Sequence, residues 1–156
     1  MSEKKKKSLS VLLPYLTSEI SFNTVDTSYT VKHKKNLRSW IKETISKEKK
    51  SLGEISFNFC SDEYLLSVNK EHLNHDYYTD IITFDFCEND IISGDIYISI
   101  DRVKENAKTE NRTINNELHR VIIHGILHLC GYKDKKPADA SVMREKEDFY
   151  LSLLGE

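Results

Sequence analysis

Proline and glycine are scarce, with 2 and 5 among 156 residues. Chain punctuation is therefore too sparse for a collagen-like, proline-rich or glycine-linker protein, and no such linker divides the chain. Cys60, Cys87 and Cys130 are odd in number, lie far apart and form no Cys-x-x-Cys pair. That usage excludes a dense secreted disulfide framework and points to a reducing cytoplasm. Long apolar runs are missing too: no stretch approaches the ~20 apolar residues of a membrane helix, so no membrane partner is expected. Leu9 to Leu16 follows Lys4 to Lys7, but Pro14 interrupts it and no small-residue cleavage site follows, which argues against a secretion signal. Nor is there an excess of positive charge, since 23 Lys and Arg face 25 Asp and Glu for a net charge of −2. Bulk charge alone does not mark a nucleic-acid binder.

What is present fits one ordinary globular domain, with 38% hydrophobic residues to fill a core. Residues 1–18 read as an extension outside that domain, which covers 19–156. Alternation predicts strands over Glu19 to Val25, Glu54 to Cys60 after a break at Gly53, Ile81 to Phe86, and Asp95 to Ile100 beyond Ser93-Gly94. Helical spacing predicts helices over His33 to Lys49, Ser61 to His72 and Arg102 to Lys108, the last capped by Asp101. A longer helix leads to Cys130, and Pro137 opens a final one with Val142, Met143, Phe149, Leu151, Leu153 and Leu154 as its apolar set. The fold class is α+β: a small mixed sheet of about four strands packed by about five helices, with a metal site on a central helix. Positive charge concentrates in Val31 to Lys50, where eight basic residues face only Glu43 and Glu48. Lys34, Lys35 and Arg38 are the first candidates for contact with an anionic polymer; a solvated helix face is the plain alternative.

Chemistry concentrates between His124 and Asp134. Residues four apart lie one turn apart on one helix face, so His124 and His128 can aim two imidazoles at a common ion. Gly131 can take the left-handed conformation that ends a helix and turns the chain back. Asp134 then supplies an oxygen as third ligand, and two nitrogens with one carboxylate leave a fourth position open, as in a catalytic zinc site. One zinc ion per chain is the cofactor expected, and no dinucleotide. The other nearby acids, Asp139, Glu145, Glu147 and Asp148, follow Pro137 in a separate helix. The pattern overlaps the metzincin protease signature, but Gly125 stands where a protease carries its glutamate base. Glu117 lies seven residues before His124 on the same face, placed to orient it or to accept a proton; a salt bridge with Arg120 or a lysine is the structural alternative. His119 reads as surface, and Cys130 as core packing.

The segment His124-Gly125-Ile126-Leu127-His128-Leu129-Cys130-Gly131-Tyr132 resembles the signature of the YbeY family, bacterial metalloproteins of ribosomal RNA maturation. Thr79-Asp80-Ile81-Ile82-Thr83-Phe84, Gly94-Asp95-Ile96 and Glu117-Leu118 resemble further family stretches in order, so the likeness spans Glu19 to Leu154. The resemblance implies a zinc-dependent endoribonuclease directed to single strands, with ribosomal RNA and the ribosome or its assembly factors as partners. Asp80 and Asp95 match these family stretches, but each could equally be a turn residue at a sheet end, and neither is assigned a catalytic role. Two departures stand out. Lys133-Asp134 replaces the family's Asp-His pair, and Leu73 occupies the place of an arginine thought to face phosphate. His72 or His75 could take over part of that arginine's role. A ribosome-associated RNA-binding metalloprotein with weak or no catalysis, and a metalloprotease-like hydrolase, are the alternative readings.

Overall fold

The computed structural model describes residues 18–155, so the expected extension lies outside the described residues except for Ser18. In chain order the elements are β1 (Glu19–Thr24), α1 (Lys34–Lys47), β2 (Ser51–Cys60), α2 (Asp62–Leu73), β3 (Ile81–Asp85) and β4 (Ile91–Ser99). Then follow α3 (Ile100–Thr109), α4 (Ile114–Leu129) and α5 (Pro137–Leu154). The four strands form one sheet in the order β1-β2-β4-β3. β2 runs parallel to both β1 and β4, whereas β3 returns antiparallel to β4. The fold is therefore α+β with a mixed sheet, and among the described residues no helix is long and apolar enough to cross a membrane.

Strand periodicity divides the interior into two layers. Ile55, Phe57 and Phe59 of β2 alternate with polar residues and are fully buried, joining Ile92, Ile96 and Ile98 of β4 on the main core face. Each such side chain contributes about 1.5–3 kcal/mol by leaving water. The same core takes Leu37, Trp40, Ile41 and Ile45 of α1 and the apolar face of α4. Trp40 Nε1 donates to the Tyr150 carbonyl at 2.7 Å, which fastens α1 to α5. The opposite sheet face carries a smaller cluster of Cys60, Leu65, Val68 and Ile82 beneath α2.

Several expectations shift by a few residues, each for a local reason. β2 starts at Ser51, so Gly53 is inside the strand and not a break. It marks a register shift between Leu52 and Ile55, where a Cβ would lie 2.1 Å from Ser93 Oγ. β4 likewise starts at Ile91, and a Cβ at Gly94 would meet the Phe84 carbonyl oxygen at 2.4 Å. Both glycines permit close approach of neighbouring strands instead of a turn. Asp101 does not cap α3: Ser99 does, its side chain accepting from Arg102 N, while Asp101 Oδ2 accepts from Asp62 N at 2.9 Å. In α5 the inward residues are Met143, Glu147, Tyr150 and Leu151, and Val142, Phe149 and Leu153 face outward.

Candidate metal centre

α4 is placed by its apolar face. Leu118, Val121, Ile122, Ile126 and Leu129 are buried, and Gly125 brings the helix down onto β3 and β4. A Cβ at Gly125 would sit 3.0 Å from Ile81 Cδ1 and 3.2 Å from Ile96 Cδ1. Thus the glycine where a protease has its glutamate serves close packing, and His124 is carried to the end of β3. The helix closes as expected at Gly131, with φ 107°. Gly131 N donates to the His128 carbonyl and Tyr132 N to the Leu127 carbonyl, each at 3.0 Å, a Schellman closure. The chain then turns back, and Asp134 reaches the two imidazoles.

The three groups form a tight triangle. His124 Nε2 lies 3.0 Å from His128 Nε2, and Asp134 Oδ2 lies 3.1 Å from His124 Nε2 and 3.3 Å from His128 Nε2. Neighbouring ligands on a tetrahedral zinc with bonds of about 2.0–2.1 Å are ~3.3 Å apart, so the triangle matches one face of that tetrahedron. The other ring nitrogens fix the tautomers. His128 Nδ1 is 2.9 Å from the Tyr132 carbonyl oxygen, which can only accept, so Nδ1 carries the proton. His124 Nδ1 is 2.6 Å from Glu147 Oε2, and Arg120 in turn donates to Glu147 Oε1 at 3.0 Å and to Asp148 at 2.8 Å. With both Nδ1 atoms donating, neutral imidazoles leave two bare nitrogens and a carboxylate oxygen facing one another. Such an arrangement could hold a metal ion, and nitrogen and oxygen donors are the kind that zinc takes.

Electrostatics agree. Burial opposes charge on His124, but the hydrogen bond and charge of Glu147, then Asp134 and Asp80, outweigh it and lift its pKa above the ordinary range. Burial likewise opposes charge on Glu147, yet His124 and Arg120 hold its carboxyl below the usual range. Asp80, half-buried beside these residues, is pushed up chiefly by burial. Without metal, the triangle thus attracts a proton.

Two open cavities flank the triangle. One of about 410 Å³ is lined by His124, Asp134, Glu117 and Glu147 together with Arg112, Arg120 and Arg144. The other, about 490 Å³, is lined by His128 and Asp134 with Leu73, His75, Tyr77 and Lys135. Asp80 and Ile81 border both. Glu117 is in the first wall, but it does not orient His124: its carboxylate pairs with Arg112 at 3.1 Å, and the contact to His124 belongs to Glu147. His75 reaches the second cavity, whereas His72 packs against Phe84 at 5.7 Å between ring centres. Arg38 donates to the Ile20 carbonyl of β1 at 2.8 Å, so Lys34, Lys35 and Arg38 lie toward the sheet edge opposite β3. His119 is half-buried with its ring 6.1 Å from that of Trp40. Cys130 packs against the core, and burial pushes its thiol up to about 12.

The sequence pointed neither to Arg112 nor to Glu147 as the partner of His124 with Arg120 behind it. The signal for Glu147 was its place in the inward stripe Met143, Glu147, Tyr150, Leu151, where an acid must find a partner.

A family model described as Endoribonuclease YbeY matches residues 19–155. The chain belongs to the YbeY family. An Endoribonuclease YbeY of Cytophaga hutchinsonii is 53% identical over 135 residues, covering 86% of this chain and 94% of that relative. Another from Porphyromonas gingivalis is 56% identical over 117 residues, 75% of this chain and 78% of the other. A Thermotoga maritima protein solved in solution superposes with a TM-score of 0.57 at 32% identity, covering 85% of this chain and 86% of that one. The family model spans β1 to α5, so the triangle and both cavities fall within the matched region.

Proposed function

We propose that this chain, an endoribonuclease by family, hydrolyses phosphodiester bonds in single-stranded ribosomal RNA with one zinc ion held by His124, His128 and Asp134. The observation that carries the reading is the triangle of His124 Nε2, His128 Nε2 and Asp134 Oδ2 at 3.0 to 3.3 Å between two open cavities. Zinc bound there would supply polarisation of a phosphoryl group and a lowered pKa for water. The chain's own groups prepare that position. Glu147, itself held by Arg120, accepts from His124 Nδ1, and the Tyr132 carbonyl accepts from His128 Nδ1, so both rings present Nε2 inward. Glu117, fixed by Arg112 in the cavity wall, is the proposed proton acceptor. Arg112 and Arg120 are engaged with Glu117 and Glu147, so Arg144 of that wall is the proposed countercharge for a phosphate, which Leu73 cannot supply. Ribosomes or their assembly factors are the proposed partners, in the cytoplasm, as the reduced-cysteine reading implies.

A second reading, an RNA-binding metalloprotein without turnover, is favoured by Leu73 at the place of the family arginine. Incubating zinc-loaded protein with ribosomal RNA beside His124→Ala separates the two. Discrete fragments from the unmodified protein alone are expected; equal nicking by both, or none by either, would leave the binding reading.

A further inference from the structure

The second cavity carries a feature that metal chemistry does not use. Tyr77 and His75 stack with ring centres 5.1 Å apart and planes 22° from parallel, and Tyr77 Oη is 2.9 Å from His75 Nδ1. Tyr77 is 55% exposed, and Leu73 beside it is 41% exposed. This exposed pair is not loosely tethered. Asn69 is 1% exposed; its side-chain amide donates to the Tyr77 carbonyl at 2.9 Å, and its own carbonyl accepts from His75 N at 3.1 Å. Lys70 and Asp76 pair across the same loop at 3.3 Å. A buried amide thus holds two aromatic rings at the mouth of a cavity whose wall includes His128 and Asp134.

The two cavities differ in what they attract. Three arginines line the first beside the acids Asp80, Glu110, Glu117, Asp134 and Glu147, a charged wall where a phosphate meets a guanidinium. Tyr77 and His75 line the second, whereas no Phe, Tyr or Trp lines the first, so the second is the side suited to a flat group. An RNA strand passing the triangle offers both kinds of group, since every base has a π-face for aromatic stacking.

We propose that the Tyr77–His75 pair is a base-stacking subsite, taking one unpaired base next to the scissile phosphate on the β3 side. This rests on the endoribonuclease reading and adds the residues that hold the strand on that side. Selection for single strands follows, because a base paired in a duplex does not present its face to Tyr77.

The test mixes full-length zinc-loaded protein, in excess, with RNA oligonucleotides carrying 2-aminopurine at successive positions, and follows fluorescence quenching by stopped flow ahead of cleavage. Quenching is expected at one or two positions on one side of the cut. It should persist in Tyr77→Phe, which keeps the ring. Tyr77→Ala should lose it and raise KM by about tenfold with kcat little changed. Quenching in Tyr77→Ala equal to that of the unmodified protein overturns the subsite. Position-specific quenching without cleavage by the unmodified protein would instead support the subsite and overturn the endoribonuclease reading.

Discussion

Two acidic clusters meet on neighbouring residues of α5, and only one of them is short of donors. Glu48 receives Tyr132 Oη at 2.5 Å, Lys146 Nζ at 3.2 Å and the Tyr150 hydroxyl. Three donors converge on one carboxylate, and the cluster is complete in itself. Glu147 and its neighbours are arranged the other way. The available donors go to Glu147 and to the Tyr132 carbonyl, and three acceptors remain facing each other. Residue type does not tell these clusters apart, since both pair an acid with ring-bearing side chains. Donor balance does: the satisfied cluster ties α1, the turn after Gly131 and α5 together, while the other leaves a set of atoms that could hold a metal ion.

Substitutions can break that contrast. The largest effect is expected from His124→Ala, which removes one acceptor and should lower zinc affinity by about a hundredfold or more, measured by isothermal titration. Glu147→Gln leaves the triangle but weakens the charge that orients His124, and a loss of about tenfold in zinc affinity is expected. Recovery of full affinity in that variant would show that Glu147 serves packing alone. Glu48→Gln should do the reverse, costing ~1–2 kcal/mol of stability in denaturant titration with zinc affinity nearly unchanged.

The same substitution tests pH dependence. Burial would raise the Glu48 carboxyl, but hydrogen bonds from Tyr132, Tyr150 and Lys146 hold it below the ordinary range. A lowered folded pKa means stabilisation that is present above the unfolded value of about 4.3 and lost as pH falls through the folded one. The stability difference between the unmodified protein and Glu48→Gln should therefore shrink in acid. The smallest effect is expected from charge reversal at Lys34 and Lys35, toward the far edge of the sheet. RNA association should weaken a few-fold at low salt and converge with that of the unmodified protein at high salt. No change at any salt concentration would make that face merely solvated.

Local spacing was legible in the sequence, and long-range packing was not. His124, His128 and the Gly131 turn follow from helical geometry within eight residues of chain, and Asp134 from the return after it. Glu147 contacts His124 across 23 residues, through the packing of α5 on α4, which no short pattern encodes. Gly53 and Gly94 read as breaks because a sequence shows a glycine's freedom and not the Ser93 hydroxyl or Phe84 carbonyl that its missing Cβ makes room for. Asp101 read as a cap because acids favour that position, but Ser99 begins the turn and Asp101 receives Asp62 N instead. The existence of a mixed sheet could be read from alternation; the parallel pairing of β2 with both β1 and β4 depends on crossovers.

The central claim is that three acceptors, and not two, make the metal centre, and Asp134 is where it can be tested most directly. Zinc affinity is to be measured by competition with a chelating indicator for the unmodified protein, Asp134→Ala, Asp134→Asn and Asp134→His. One ion per chain is expected for the unmodified protein, with a sharp loss in Asp134→Ala, an intermediate value in Asp134→Asn and retention in Asp134→His, where an imidazole replaces the carboxylate. Affinity in Asp134→Ala equal to that of the unmodified protein would contradict the account and leave a two-histidine site.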